Sequence, residues 1–277
     1  DALGRGAAAS LISRKPKGIS EGTPLLEVAD TVAGLNQLGI AARARARARI
    51  IAVTGSVGKT SIKDALAVLL GRQGTVSYSL GSLNNHYGVP LSLARLPQNA
   101  EFGVFELGMN NAGELTGLSQ IVRPLVAIVT TVEPTHLEFF RSVEDIARAK
   151  AEIFAGQDIG GMAILNRDNP HFAILKNAAI SKGIHIVTFG VHREADFRLT
   201  SFDLGSDNSL VEASFVGGGL SYRLKVLGRH WVQNSLAVLA AIHSVGADVF
   251  EAARAFEATP LPTPSLRPWR YTDVTTL

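Results

Sequence analysis

The nine residues "VTGSVGKTS", Val53 to Ser61, join the apolar segment "RII" to a stretch that carries Ile62, Leu66 and Leu69 at helical spacing and closes at Gly71. A short continuous apolar run marks a strand buried on both faces, and an amphipathic helix directly after it must pack back onto the sheet. In a turn of this kind Gly55 and Gly58 allow the chain to reverse, and backbone N–H groups at the helix start converge on one point where an anion binds. Lys59 brings a charge for the outer phosphates of a nucleotide and Thr60 a hydroxyl for Mg²⁺. A Gly-Lys-Thr triplet alone signals only a loop before a helix. The strand and helix on either side make it a phosphate loop, with Thr54, Gly55, Ser56, Val57, Gly58, Lys59, Thr60 and Ser61 as its residues. Val53 stands where the pattern G-x-x-x-x-G-K-[ST] has its first glycine, so the loop is either defective or of a different make.

The same alternation continues down the chain. Apolar strands are predicted at "FGVFEL", "PLVAIVTTV", "GGMAILN" and "IHIVTFG", separated by helical stretches such as "SVEDIARAKAEIFAG" and "NPHFAILKNAAISKG". Strands alternating with helices predict a mostly parallel sheet with right-handed crossovers, flanked by helices. From Asp196 to Val226 shorter segments alternate polar and apolar residues, which predicts antiparallel strands, on an edge of the main sheet or as a small second sheet. "NSLAVLAAIHSVGAD" and "VFEAARAFEA" read as two helices. Ahead of the loop, Leu25 to Val28 reads as a strand and Val32, Leu35 and Leu38 as one helix face.

At 277 residues the chain is long enough for two domains, and its 46% hydrophobic and 18% charged residues are those of a globular protein. No apolar run approaches the ~20 residues of a membrane span, so no membrane insertion is expected. The absence of cysteine excludes disulfides, thiolate zinc sites and cysteine nucleophiles, and is compatible with a reducing, cytoplasmic setting. The net charge is +3. Much of the positive charge lies in "RARARARAR", Arg43 to Arg49, which has no interleaved aromatic or polar base readers. No nucleic acid partner is expected, and the run reads as a solvated linker or helix between domains.

A nucleotide–metal site also needs an acid at the end of a neighbouring strand. "FGVFELG" ends in Glu106; alone, such a residue reads as a solvated terminus, but beside a phosphate loop it becomes a metal candidate. His136 follows another predicted strand, at the edge where open α/β sheets bind ligands, although a lone histidine is also a common satisfied residue at a core margin.

The segments "VTGSVGKTS", "LNNHYGVPLSL", "FELGMNNAGEL", "THLEFFRSVEDIARAKAEIF", "ILNRDNP" and "LGRHWVQNSLAVLAAI" occur in the order found in Mur ligases. From about Leu25 to about Val249 the chain resembles that family, nearest to the members that add D-alanyl-D-alanine to UDP-N-acetylmuramoyl-tripeptide. The family's loop is T-G-x-x-G-K-[ST], so the resemblance implies that Val53 belongs to the strand. It also implies ATP and Mg²⁺, with Lys59 on the phosphates and Thr60, Glu106 and His136 at metal positions. Lys150 falls where Mur ligases carry a carbamylated lysine that serves a second Mg²⁺. Asn166 and Asp168 match adenosine-side contacts, and Asx turns are their plain reading. Asn84 and Asn85 match the loop facing the muramoyl-peptide, against a plain turn-forming pair. His230 and Asn234 match G-x-H-N-x-x-N, in which Trp231 replaces the first Asn.

The implied reaction forms an acyl phosphate from the peptide carboxylate and ATP, which the D-alanyl-D-alanine amine then displaces, in a monomeric cytoplasmic enzyme. The implied domains are a partial N-terminal UDP-substrate domain at 1–42, a linker at 43–49, the central ATP-binding domain at 50–258, and an irregular Pro-rich tail at 259–277 in place of a C-terminal domain. The start "DALGRGAAAS" reads as an interior point of a longer chain, and little or no ligase activity is expected of these residues alone. A folylpolyglutamate synthase, another Mur enzyme or a non-catalytic ATP-binding remnant are the other readings; "NNxxGVPL" and "ELGMNNAGE" favour the dipeptide-adding enzyme.

Overall fold

The computed structural model describes residues 3–135 and 138–258. A short parallel pair, β1 (Ser10–Ile12) and β2 (Leu25–Glu27), leads into α1 (Thr31–Arg45). The Asp30 side chain starts that helix by accepting the Ala33 N–H at 2.8 Å. Thereafter strands and helices alternate: β3 (Arg49–Thr54), α2 (Lys59–Leu70), β4 (Val76–Tyr78), α3 (Gly88–Ala94), β5 (Phe102–Glu106), α4 (Glu114–Val122), β6 (Val126–Val129), α5 (Val143–Ala151), β7 (Met162–Asn166), α6 (Phe172–Ser181) and β8 (His185–Gly190). The chain then makes β9 (Phe197–Leu204), β10 (Ser209–Phe215) and β11 (Gly218–Leu224), followed by α7 (Arg229–Ser244) and α8 (Val249–Ala258).

β3 to β11 form one nine-stranded sheet in the order β11-β10-β9-β8-β7-β6-β3-β5-β4. All pairings from β4 to β9 are parallel and the last two are antiparallel. Of the two places open to the polar-apolar segments, they take the edge of the main sheet. Side chains alternate across it. Ile51, Val53, Ile128 and Ile164 face α2, α7 and α8, whereas Ile50, Ala52, Val129 and Leu165 face α3 to α6. Both faces are dry, which is why the central strands are unbroken apolar runs. β3 has β5 on one side and β6 on the other. Connections leave it in opposite directions there, opening a crevice at the strands' carboxyl ends.

Two local expectations change. On α1 Leu38 is exposed, and the buried positions are Gly39 and Ala42. A Cβ on Gly39 would lie 3.0 Å from the Pro90 carbonyl oxygen, so the helix meets α3 through its smallest residues, and Leu38 and Ile40 are left exposed. The Arg-Ala run, expected as a solvated linker or helix, is helical in its first part and only partly solvated. Arg43 and Arg45 finish α1, Arg49 opens β3, and Ala46 and Ala48 are buried. Arg43 donates to the carbonyls of Val122 at 2.7 Å and Arg123 at 2.9 Å, and Arg49 donates to that of Val245 while lying over the Phe102 ring. Two arginines thus close the carboxyl ends of α4 and α7, where unpaired carbonyls and the helix dipole favour a cation. The tail at 259–277 lies outside the described residues.

Candidate nucleotide site

Val53 is fully buried in β3, paired with Glu106 on β5 and Ile128 on β6. The turn therefore starts only after Thr54, and no glycine is needed at position 53. At Gly55 φ is +147°, and a Cβ there would sit 1.9 Å from Thr130 Oγ1. Gly58, with φ +88°, is the residue before α2 and faces Asn234. Any side chain at Gly55 would fill the fold of the loop, and only glycine takes the backbone of either position without strain. Beyond Gly58 the leading N–H groups of α2 have no partner within the helix and open toward the crevice.

The register that aligns Val53 with Glu106 brings the carboxylate beside the loop. Thr60 Oγ1 donates to Glu106 Oε2 at 2.8 Å, and Asn84 Nδ2 donates to Glu106 Oε1 at 2.8 Å. Glu106 is 1% exposed, so these two donors answer for a charge otherwise held in a dry place. Lys59 folds back over the loop, its Nζ donating to the Gly55 carbonyl at 2.8 Å. Burial lowers its pKa, opposed by the Glu106 carboxylate. Lys150, near the end of α5, is 2% exposed; burial and then the Lys59 charge lower its pKa to about 7. A neutral amine is thereby accessible near neutral pH.

The loop, Asn84 and Glu106 border a cleft of about 800 Å³, and Lys150 is not in its lining. Of the residues expected at the site, Ser56, Val57, Gly58, Lys59, Thr60, Ser61, Asn84, Glu106, Asn166, His230 and Asn234 line it. Thr54, the last residue of β3, and Gly55 are not in the lining. The expected pairs separate. Asn85 Oδ1 accepts the N–H groups of Tyr87 at 3.1 Å and Gly88 at 2.9 Å, starting α3, and is not in the lining. Asp168 is likewise not in the lining: its carboxylate receives the N–H groups of Val191 at 2.7 Å and His192 at 2.9 Å and ties down the turn after β8. Asn166 does both, making an Asx turn to the Asp168 N–H at 2.9 Å while bordering the cleft. Trp231 is buried in the core on the α7 side of the sheet. His136 lies outside the described residues.

The sequence reading missed Thr130, Thr131 and Glu133, which follow β6 and also line the cleft. Thr130 Oγ1 donates to the Val57 carbonyl, Ser56 N–H donates to that of Thr131 at 2.9 Å, and Ser56 Oγ donates to that of Glu133 at 3.1 Å. Two hydroxyls directly after an apolar strand were the available signal. Phe189 and Gln233 border the cleft as well, with no signal of their own.

The donor set fits a magnesium nucleotide. A hydroxyl and a carboxylate are the hard oxygen ligands Mg²⁺ takes, in a site where phosphates and water supply the rest. Among the described residues no three His, Cys, Asp or Glu side chains cluster.

Residues 53–242 match the model of the Mur ligase middle domain. The chain is 36% identical over 242 residues to UDP-N-acetylmuramoyl-tripeptide--D-alanyl-D-alanine ligase of Escherichia coli (strain K12), covering 87% of this chain and 53% of that protein. It superposes on a crystal structure of MurF from Acinetobacter baumannii with a TM-score of 0.83 and 32% identity, covering 91% of this chain and 54% of the other. The MurF ligase from Thermotoga maritima in complex with ADP gives 0.77 and 26%, covering 91% and 58%. The chain spans about half the length of the curated relatives it matches. With that match over most of its length, and with the phosphate loop and strand-end carboxylate in place, the chain belongs to the Mur ligase family.

Proposed function

We propose that this chain binds Mg²⁺-ATP and activates the peptide carboxylate of UDP-N-acetylmuramoyl-tripeptide, as the central part of an amide ligase that adds D-alanyl-D-alanine. The observation that carries the reading is the contact set Thr60–Glu106–Asn84 beside Lys59, which joins phosphate, metal and acyl-substrate groups in one cleft. When bound, Mg²⁺-ATP supplies the phosphoryl group: a carboxylate oxygen attacks the γ-phosphorus, the bond to ADP breaks, and the dipeptide amine then displaces phosphate from the acyl carbon. Such chemistry depends on positioning and charge neutralisation.

Lys59 would exchange the Gly55 carbonyl for the outer phosphates, and the N-terminus of α2 would take the phosphate oxygens. Thr60 and Glu106 would hold Mg²⁺. Lys150, with its lowered pKa, is poised in its neutral form to accept CO₂ as a carbamate with release of a proton, which would turn a cation into an anion suited to a second Mg²⁺. His136 is the other residue we assign to metal binding, on the family resemblance alone. Asn166, His230 and Asn234 border the nucleoside side, and Asn84 meets the muramoyl-peptide. A need for ATP supports a cytoplasmic setting for this reaction.

Calorimetric titration of the chain with ATP is the test. Binding should require Mg²⁺ and strengthen with UDP-muramoyl-tripeptide present, and hydroxylamine should trap the activated tripeptide as a hydroxamate. Absence of Mg²⁺-dependent nucleotide binding would overturn the proposal.

A further inference from the structure

Lys63 lies one turn beyond Lys59 on α2 and is 0% exposed, among the largest side chains fully withdrawn from solvent. None of the phosphate chemistry above uses it. A buried ammonium persists only with partners. It donates to the Gly81 carbonyl at 2.9 Å and pairs with Asp64 Oδ1 at 2.8 Å. The Tyr78 ring centroid lies 6.0 Å away.

Gly81 belongs to the loop between β4 and α3 that delivers Asn84. One side of this loop is bonded to the strand that ends in Glu106. The Ser79 N–H donates to the Val104 carbonyl at 3.0 Å, the Glu106 N–H to Ser79 Oγ at 3.1 Å, and the Gly108 N–H to the Asn84 carbonyl at 2.8 Å. Asn84 Nδ2 then reaches Glu106 itself. Lys63 holds the middle of the loop from the other side, from the same helix whose first turn carries Lys59 and Thr60. A Cβ on Gly108 would meet the Asn84 side chain at 2.8 Å, so the Asn84 side chain lies directly against the backbone that follows Glu106.

We propose that Lys63 is a positioning residue that ties the phosphate-loop helix to the Asn84 loop, so that Asn84 is set against Glu106 and recognition of Mg²⁺ by Thr60 and Glu106 is coupled to the acyl-substrate side of the cleft. The inference rests on the magnesium-nucleotide reading above. Its content is a coupling: Lys63 acts on the metal step through Gly81 and Asn84, without touching nucleotide or metal.

The test measures nucleotide affinity with EDTA and with Mg²⁺, using ADP and the whole chain. In Lys63→Met, affinity without Mg²⁺ should stay within about twofold of the parent while the strengthening by Mg²⁺ falls about fivefold or more. Asn84→Ala should lose the strengthening by Mg²⁺ as well, and in the double variant that strengthening should fall no further than in either single one, as for two residues acting through one contact. Asp64→Asn, which leaves the Gly81 bond, should keep the Mg²⁺ effect. Equal weakening with and without Mg²⁺, or additive effects of Lys63→Met and Asn84→Ala, would show a merely structural lysine and overturn the proposal. Hydrogen exchange on the unaltered chain decides independently of variant folding. Mg²⁺ added to the ADP complex should slow exchange at 79–85 and at the first turn of α2 together, and slowing of α2 alone refutes the coupling. If the parent chain shows no Mg²⁺-dependent ADP binding, the nucleotide reading fails and takes this inference with it, an outcome distinct from a parent that binds while its variants lack the pattern.

Discussion

The start of α2 and the end of α5 each bury a lysine, and the two are treated in opposite ways. Lys63 is dry but answered by a carboxylate and a carbonyl. Lys150 is almost as dry, has no hydrogen-bond or ion-pair partner among the described residues, and has Lys59 as a like charge nearby, so its pKa falls to about 7. The contrast separates two uses of a buried amine. A paired one fixes structure, whereas an unpaired one near neutrality is held ready for chemistry.

The largest expected effect breaks the comparison at Lys150. Its folded pKa of about 7 lies below the ordinary 10.5, so the unfolded chain binds the extra proton between those values and stability rises with pH across that window. Below pH 7 both states are protonated and the folded one carries the whole penalty. Lys150→Met should therefore be more stable than the parent by on the order of 4 kcal/mol at pH 6, with the gain shrinking toward pH 10. Urea denaturation at pH 6, 8 and 9.5 checks it; a gain that does not change with pH would contradict the burial argument. In ¹³C-bicarbonate at pH 8 a carbamate carbon should appear, weaken at pH 6 and vanish in Lys150→Met.

Next in size, Lys59→Ala should weaken Mg²⁺-ADP binding about 100-fold, or about 3 kcal/mol, with melting temperature nearly unchanged, because its present partners are only loop carbonyls. Gly55→Ala sharpens the same point from the backbone. The added methyl meets Thr130 Oγ1 at 1.9 Å in a strained conformation, so both stability, by about 2–3 kcal/mol, and binding should fall. The smallest effect divides the neighbouring asparagines. Asn85→Ala should cost about 1 kcal/mol of stability, as the loss of a helix-starting acceptor, and leave the Mg²⁺ effect intact, the reverse of Asn84→Ala.

These residues also mark how far the sequence could be read. The phosphate loop was legible because strand, turn and helix are contiguous and their side chains report their own surroundings. Glu106 was legible once a parallel sheet was inferred, since strand ends converge there. Asn84 and Asn85 were indistinguishable, both being turn residues, and their division depends on which one the fold of 79–88 aims at β5. Asn166 and Asp168 likewise divide between cleft edge and turn closure, the latter through contacts of Asp168 with the turn after β8, more than twenty residues away. Leu38 misled because a close helix crossing rewards Gly39, not the larger apolar side chain.

The sequence by itself determined the doubly covered parallel sheet, the place of the anion-binding turn and the family, since apolar period, glycine spacing and motif order are local properties of the chain. Tertiary structure alone decided which polar groups share the cleft. The β3–β5 register brings Glu106 to Thr60, the loop after β4 covers Lys63, and burial without a partner among the described residues lowers the pKa of Lys150. Electrostatic environment is a sum over neighbours distant in sequence, so a lysine on a helix carries no mark of whether it will be solvated, paired or held neutral.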